Sequence, residues 1–122
     1  EGMVGFEIFL EAIPQAKNKT AARPPLVISE FQAVTRDFAF VVKQSVEAGA
    51  ILNAAAKADA TLVKKVELFD VYQGKGLAED EKSLAISITL QAADRTLTDK
   101  EIEDVSDKVI AGAAKSGAKL RA

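Results

Sequence analysis

Residues 82–91 read Lys82-Ser-Leu-Ala-Ile-Ser-Ile-Thr-Leu-Gln91, and this stretch decides the fold class of the 122-residue chain. Every second residue from Leu84 to Leu90 is large and apolar, while the residues between them are small or polar. Such alternation is typical of a strand that packs one face on a core and leaves the other face open.

The segments on either side of this strand alternate between strand and helix patterns. Phe38, Phe40 and Val42 mark a strand, and apolar residues at spacings of three and four after Glu47 mark a helix. Thr98 followed by Glu101 is a capping box and predicts the start of a second helix. The predicted order is strand 36–43, helix 47–58, strand 62–73, strand 82–91, helix 98–115 and strand 118–121.

The strand at 62–73 departs from simple alternation. Apolar residues fall on both parities around Leu68 and Phe69, which predicts a bulge at that point. If Phe69 and Val71 face inward beyond the bulge, Asp70 and Tyr72 share the opposite face.

The order βαββαβ predicts an α+β fold, the ferredoxin-like sandwich. Because each crossover is right-handed and skips one strand position, the four-stranded antiparallel sheet takes the order 4-1-3-2 with both helices on one face. The other face of the sheet is then open.

The open face carries a candidate binding site. Tyr72 and Ser83 flank the same loop, so they should be cross-strand neighbours, with Lys43 at the same end of the sheet and Ala85 beside them. A flat base could stack on the Tyr72 ring while Asp70 and Ser83 read its edge. The alternative is that Tyr72 serves only to pack an edge strand.

Composition restricts the chemistry that this chain can perform. It contains no Cys and no His, so a disulfide, a Cys nucleophile, a Ser-His couple and a zinc site of Cys and His are excluded. Neither Gly74-Lys75-Gly76 nor Glu79-Asp80-Glu81 has the spacing of a phosphate loop or a calcium loop. We therefore expect no catalytic residues and no metal site.

Charge and hydropathy limit the partners. Sixteen Lys and Arg stand against 18 Asp and Glu, for a net charge of −2, so any nucleic-acid binding must be local and modest. No apolar run approaches the roughly 20 residues that span a bilayer, so we expect no membrane association and a cytoplasmic location.

The first 28 residues follow a different pattern. Apolar residues alternate from Val4 to Leu10, which predicts a strand between Val4 and Ile13 with no nearby partner, and Pro24-Pro25 predicts an extended linker. We expect residues 1–28 to be the tail of a preceding domain with its linker, and residues 29–122 to form the ferredoxin-like domain.

Four separated motifs carry a family resemblance. They are Ser29-Glu-Phe-Gln-Ala-Val-Thr-Arg-Asp37, Leu68-Phe-Asp-Val-Tyr-Gln-Gly-Lys-Gly76, Lys82-Ser-Leu-Ala-Ile-Ser87 and Arg95-Thr-Leu-Thr-Asp-Lys-Glu-Ile102. In this order they closely resemble the C-terminal anticodon-binding domain of the bacterial phenylalanyl-tRNA synthetase beta subunit. The resemblance runs from about Ser29 to Arg121.

The resemblance implies a binding site and its ligand. The domain would bind the anticodon stem-loop of tRNA(Phe), and the positions matching the family site are Asp70, Tyr72, Ser83 and Ala85. Thr35 stands where the family often has a basic residue, which leaves Arg36 as the candidate phosphate contact there.

The resemblance also implies that this chain performs no chemistry and needs no cofactor of its own. In the whole cytoplasmic enzyme, an alpha2beta2 heterotetramer, the alpha subunit would activate phenylalanine with ATP and magnesium. The alternative from a different functional class is a ferredoxin-like regulatory or protein-docking module that binds no RNA, which agrees more readily with the acidic pI.

Overall fold

A four-stranded antiparallel sheet is the centre of the computed structural model, which describes residues 2–14 and 29–121. The strands are β1 Val34–Lys43, β2 Val63–Tyr72, β3 Glu81–Leu90 and β4 Lys119–Leu120. They lie in the order β2-β3-β1-β4, which confirms the predicted order 4-1-3-2. The two central strands, β1 and β3, pair over their whole length.

One face of the sheet forms the core with two helices, α1 Ala48–Ala56 and α2 Asp99–Lys115. Burial of each large aliphatic side chain in this core contributes about 1.5–3 kcal/mol. The placement of both helices on this face is as predicted. The largest fully buried side chains are Phe40, Val42, Ile51, Leu84, Ile86, Ile88, Leu90, Val105 and Val109.

The ends of α2 are fixed by local hydrogen bonds. The Thr98 hydroxyl accepts from the backbone N–H of Glu101 at 3.4 Å, and the Glu101 carboxylate accepts from the backbone N–H of Thr98 at 2.9 Å, which confirms the capping box. At the other end Gly117 has a φ of +81°, and the N–H of Ala118 donates to the carbonyl of Ala113 at 3.2 Å. This is a Schellman ending that turns the chain toward β4.

A bulge interrupts β2 where it was predicted. Leu68 pairs with Ile86 and Asp70 pairs with Ala85, so Phe69 is an extra residue between two register positions. A second register shift lies between Val63 and Lys65.

The expectation that Phe69 and Val71 face inward is only partly correct. Phe69 is 58% exposed, because a bulged residue does not pair in the ladder. The prediction that Phe69 is buried is therefore wrong. Val71 pairs with the core residue Leu84, yet it is 48% exposed. Leu68 is the last residue of β2 that packs against the core. The helices therefore do not cover the last residues of this edge strand.

The predicted strand between Val4 and Ile13 is wrong. The described part of this segment contains a single 3₁₀ turn at Leu10–Ala12, and its apolar side chains are exposed. A strand needs a neighbour for its backbone groups, and among residues 2–14 and 29–121 none pairs with this segment. The predicted linker at Pro24-Pro25 lies outside the described residues, so the assignment of residues 1–28 to a preceding domain stays a prediction.

Neither helix of the domain is long and apolar enough to cross a membrane, within the ranges that the structure describes.

Candidate nucleic-acid interface

Cross-strand register assembles the candidate site on the open face of the sheet. Tyr72 of β2 pairs with Ser83 of β3, Ser83 pairs with Val41 of β1, and Val41 pairs with Lys119 of β4. These residues form one row across all four strands, and neighbouring strands in such a row are about 4.8 Å apart. Paired residues share a face, so Tyr72 and Ser83 are the cross-strand neighbours that the sequence predicted.

The adjacent row consists of an acidic residue and two alanines. Asp70 pairs with Ala85, and Ala85 pairs with Ala39. Small side chains in the centre of the sheet leave room above them for a flat ligand. The structure therefore brings together Asp70, Tyr72, Ser83 and Ala85 on one face, as predicted.

The Tyr72 ring is held by the loop that joins β2 to β3. Its hydroxyl donates to the backbone carbonyl of Lys75 at 3.2 Å. Gly74 makes this placement possible, because a Cβ at position 74 would lie 3.2 Å from the hydroxyl oxygen, and its φ of +144° is unfavourable for other residues. Gly74 thus leaves room for the Tyr72 ring, a role that the sequence did not reveal, although the pair Gly74 and Gly76 marks the turn.

Arg121 reaches the same ring from the opposite edge of the sheet. Its backbone N–H donates to the carbonyl of Ala39 at 2.7 Å, and its guanidinium carbon lies 5.7 Å from the centroid of the Tyr72 ring. This is a cation–π contact. Arg121 was not among the predicted site residues, and its alternation with Lys119 along a very short strand was the only signal in the sequence.

Ser83 lies on the open face but is nearly covered, with 4% of its surface exposed. It sits between Tyr72 and Val41 in its row, while Ala85 in the next row is partly exposed. Ser83 therefore offers little of its surface to a ligand in this arrangement.

Lys43 lies at the same end of the sheet, as predicted, and its ammonium group forms ion pairs with two carboxylates. It pairs with Glu81 in the strand register, and its Nζ donates to Asp80 Oδ2 at 2.6 Å and lies 3.8 Å from Glu81 Oε1. The hydrogen bond raises the pKa of Lys43 and lowers the pKa of Asp80. The charge that Lys43 can offer to a phosphate is thus largely compensated.

Arg36 does not join the other candidates. It pairs with the core residue Ile88 and alternates with Phe38 and Phe40, so it belongs to the helix side of β1, although it is exposed. The open-face neighbour at this position is Asp37, which pairs with Ser87.

The acidic loop before β3 has its own internal contacts. Glu81 accepts from the backbone N–H of Ala78 at 3.5 Å, and Asp80 holds Lys43. No group of three or more metal-ligating side chains occurs in the part of the chain described above.

Comparison with known proteins agrees with this architecture. Residues 29–121 match the family model of the ferredoxin-fold anticodon binding domain. The chain is 50% identical over 121 residues to a phenylalanine–tRNA ligase beta subunit of Nitrobacter winogradskyi, covering 98% of the chain and 15% of that protein. The corresponding beta subunit of Rhodospirillum rubrum is also 50% identical, with the same coverage.

A third relative, the beta subunit of Bradyrhizobium diazoefficiens, is 48% identical over 119 residues, which are 96% of the chain and 15% of that protein. The chain thus spans about 15% of the length of these curated relatives. The matched range contains all four strands and both helices, and the predicted resemblance is confirmed. On this basis the chain belongs to the ferredoxin-fold anticodon-binding domain family.

Proposed function

We propose that this chain binds the anticodon stem-loop of tRNA(Phe) on the open face of its sheet, as part of a phenylalanine–tRNA ligase beta subunit. The observation that carries the proposal is the row in which Tyr72 stands beside small residues, in a domain of the anticodon-binding family. An aromatic ring next to a low platform is suited to stacking an unpaired base.

Each site residue has a distinct proposed role. The Tyr72 ring stacks on a base, Asp70 and Ser83 hydrogen-bond base edges, and Ala85 keeps the platform low enough for close approach. Lys43 is the proposed phosphate contact at this end of the open face, whereas Arg36, on the helix side of β1, is not among the contacts on that face. The pairing of Lys43 with Asp80 supports a small electrostatic contribution, so base stacking is the larger source of affinity.

The second part of the proposal concerns the role of this chain within the whole enzyme. The beta subunit would position tRNA(Phe) for aminoacylation by an alpha subunit that uses ATP, magnesium and phenylalanine, within a cytoplasmic alpha2beta2 assembly. The chain itself would perform no step of the reaction. Purified alone, it should show no phenylalanine-dependent exchange between ATP and pyrophosphate.

The test is a titration of the chain with the anticodon stem-loop of tRNA(Phe) and with the same stem-loop carrying substituted anticodon bases. We expect preference for the unsubstituted anticodon. For roughly one phosphate contact the slope of log K against log salt is about −0.7. Equal binding of both RNAs would reject the site, and absence of RNA binding would favour the protein-docking alternative.

A further inference from the structure

The loop between β2 and β3 consists of two consecutive turns. In the first, the N–H of Leu77 donates to the carbonyl of Gly74 at 3.1 Å. In the second, the N–H of Glu81 donates to the carbonyl of Ala78 at 3.0 Å. Because Leu77 and Ala78 are adjacent in sequence, no residue separates the two turns, and the position of one constrains the position of the other.

One backbone carbonyl in each turn accepts a hydrogen bond from a side chain outside that turn. In the first turn, the Lys75 carbonyl accepts from the Tyr72 hydroxyl at 3.2 Å. In the second turn, the Glu79 carbonyl accepts from the side-chain amide nitrogen of Gln44, Nε2, at 3.0 Å. Tyr72 ends β2 and Gln44 directly follows β1, so the loop is held from the two strands that flank β3.

The backbone of Gln44 is fixed independently of its side chain. Its N–H donates to the carbonyl of Asp80 at 2.8 Å, and its carbonyl accepts from Lys82 Nζ at 2.9 Å. The preceding residue, Lys43, donates to Asp80 Oδ2 at 2.6 Å. None of these three bonds uses the Gln44 amide group, so we expect the end of the β1–β3 ladder to stay paired when that group is removed.

We propose that Gln44 is a positioning residue that holds the Tyr72 ring in place for stacking on an RNA base. This inference rests on the proposed tRNA-binding function and adds a residue outside the row of Tyr72. The Gln44 amide holds the Glu79 carbonyl, the second turn holds the first, and the Lys75 carbonyl in the first turn anchors the ring hydroxyl. A ring that is held before the RNA arrives loses less conformational entropy on binding, which raises affinity without any contact between Gln44 and RNA.

The first test is a double-mutant cycle in which the chain binds the anticodon stem-loop of tRNA(Phe). Gln44→Ala removes the amide, and Tyr72→Phe removes the hydroxyl at the other end of the same connection. Loss of one exposed hydrogen bond corresponds to roughly 2-fold to 5-fold weaker binding, and we expect a loss of this size in each single variant. Since both changes break one connection, the double variant should bind about as well as Tyr72→Phe alone.

Gln73→Ala is the matched control for this cycle, because it removes the same type of side chain from the exposed start of the loop. It should weaken binding by less than about twofold. Thermal unfolding followed by circular dichroism checks that the domain is intact. The midpoint of Gln44→Ala should remain within a few degrees of that of the unsubstituted chain, because the Gln44 side chain is exposed.

A second measurement needs no RNA. Tyr72 is the only tyrosine in the chain and there is no tryptophan, so intrinsic fluorescence reports on this ring alone. We expect Gln44→Ala to lower the anisotropy of this emission, because the ring then moves more freely on the nanosecond timescale. Gln73→Ala should leave the anisotropy unchanged.

The outcomes separate the two proposals. If the unsubstituted chain does not bind the stem-loop, the proposed function and this inference both fail. If that chain binds, and Gln44→Ala either binds equally well or leaves the anisotropy unchanged, only the role of Gln44 is overturned. Losses that multiply in the double variant would show that Gln44 acts independently of the bond between Tyr72 and Lys75, and would also overturn it.

Discussion

Asp59 and Lys108 connect the turn before β2 to the exposed side of α2. Lys108 Nζ donates to Asp59 Oδ2 at 3.0 Å, and Asp59 Oδ1 accepts from the backbone N–H groups of Thr61 and Leu62 at 3.1 Å each. The hydrogen bond from Lys108 is the main reason that the pKa of Asp59 lies below its usual value. One carboxylate therefore stabilises both a local turn and a contact between elements distant in sequence.

Replacement of Asp59 by Ala should lower the free energy of unfolding by about 1–2 kcal/mol, because two backbone donors lose their acceptor. Lys108→Met leaves the turn intact and should lower the free energy of unfolding by less than about 1 kcal/mol. Urea unfolding at neutral pH measures both values. Because the folded pKa of Asp59 is depressed, its contribution is present above the unfolded pKa and declines as pH falls through the folded value. Equal losses in the two variants would contradict the role of the turn.

The capping box predicts a second acid-sensitive contribution. Glu101 accepts from the Thr98 backbone and from Arg95, and these bonds lower its pKa from 4.5 to about 2. Its stabilising effect is therefore complete above pH 4.5 and is lost as pH falls toward 2. Glu101→Gln should flatten the dependence of the unfolding midpoint on pH in this range. Glu103→Gln, on the exposed side of the same helix, is the matched control for the loss of one carboxylate from α2.

Under the proposed function, removal of the Tyr72 ring should impair tRNA use without affecting amino-acid activation. In the full-length enzyme, Tyr72→Ala should weaken the use of tRNA by roughly 5-fold to 150-fold, since stacking on one aromatic contributes about 1–3 kcal/mol. Steady-state aminoacylation and phenylalanine-dependent exchange of ATP and pyrophosphate measure the two steps. Tyr72→Phe retains the ring and should retain most binding, with a small loss because the ring no longer bonds the Lys75 carbonyl.

Two loop glycines separate backbone strain from loss of the site. In Gly74→Ala the alanine would have to adopt a φ of +144°, and its Cβ would lie 3.2 Å from the Tyr72 hydroxyl oxygen. This variant should therefore have lower stability and lower RNA affinity. Gly76→Ala also has a positive φ, of +96°, but its Cβ meets no atom within 4 Å. Both variants should lose about 1–3 kcal/mol of stability. Only Gly74→Ala should weaken stem-loop binding beyond that effect, and equal binding by the two would argue against ring placement by Gly74.

Ala85 tests the height of the platform. Ala85→Leu adds a branched side chain between Asp70 and Ala39, and it should reduce stem-loop binding at least tenfold through obstruction. Thr89→Leu places the same side chain on the same face of β3, away from Tyr72, and should have little effect on binding. If Ala85→Leu binds RNA as well as the unsubstituted chain, the bases do not lie on this face.

Much of the fold follows from local patterns. Strand alternation and the capping box at Thr98 indicated the element order βαββαβ, and the right-handed crossover rule then predicted the sheet order. The mixed parity near Leu68 was sufficient to predict the bulge. The strand predicted at Val4–Ile13 was wrong because alternation describes one strand and carries no information about a partner.

The candidate site was less accessible to sequence reasoning. Strand parity placed Asp70 and Tyr72 on the open face, but it also treated Ser83 as exposed. The burial of Ser83 and the contact between Tyr72 and Arg121 depend on how far side chains extend across several strands. Strand parity in a segment as short as β4 does not encode that distance.

The extra residue at Phe69 determines which side chains of β2 lie on the open face of the sheet. Before the bulge the outward positions are odd-numbered, at Lys65 and Glu67, and after it they are even-numbered, at Asp70 and Tyr72. A regular strand that kept every residue would instead turn Phe69 and Val71 to the open face and Tyr72 toward the helices. Deletion of Phe69 would leave Asp70 and Tyr72 on the open face, because the pairs on either side of the bulge would then follow one another directly. A change that straightened this edge without shortening it would therefore alter the surface that β2 presents while altering none of the amino acids that form it.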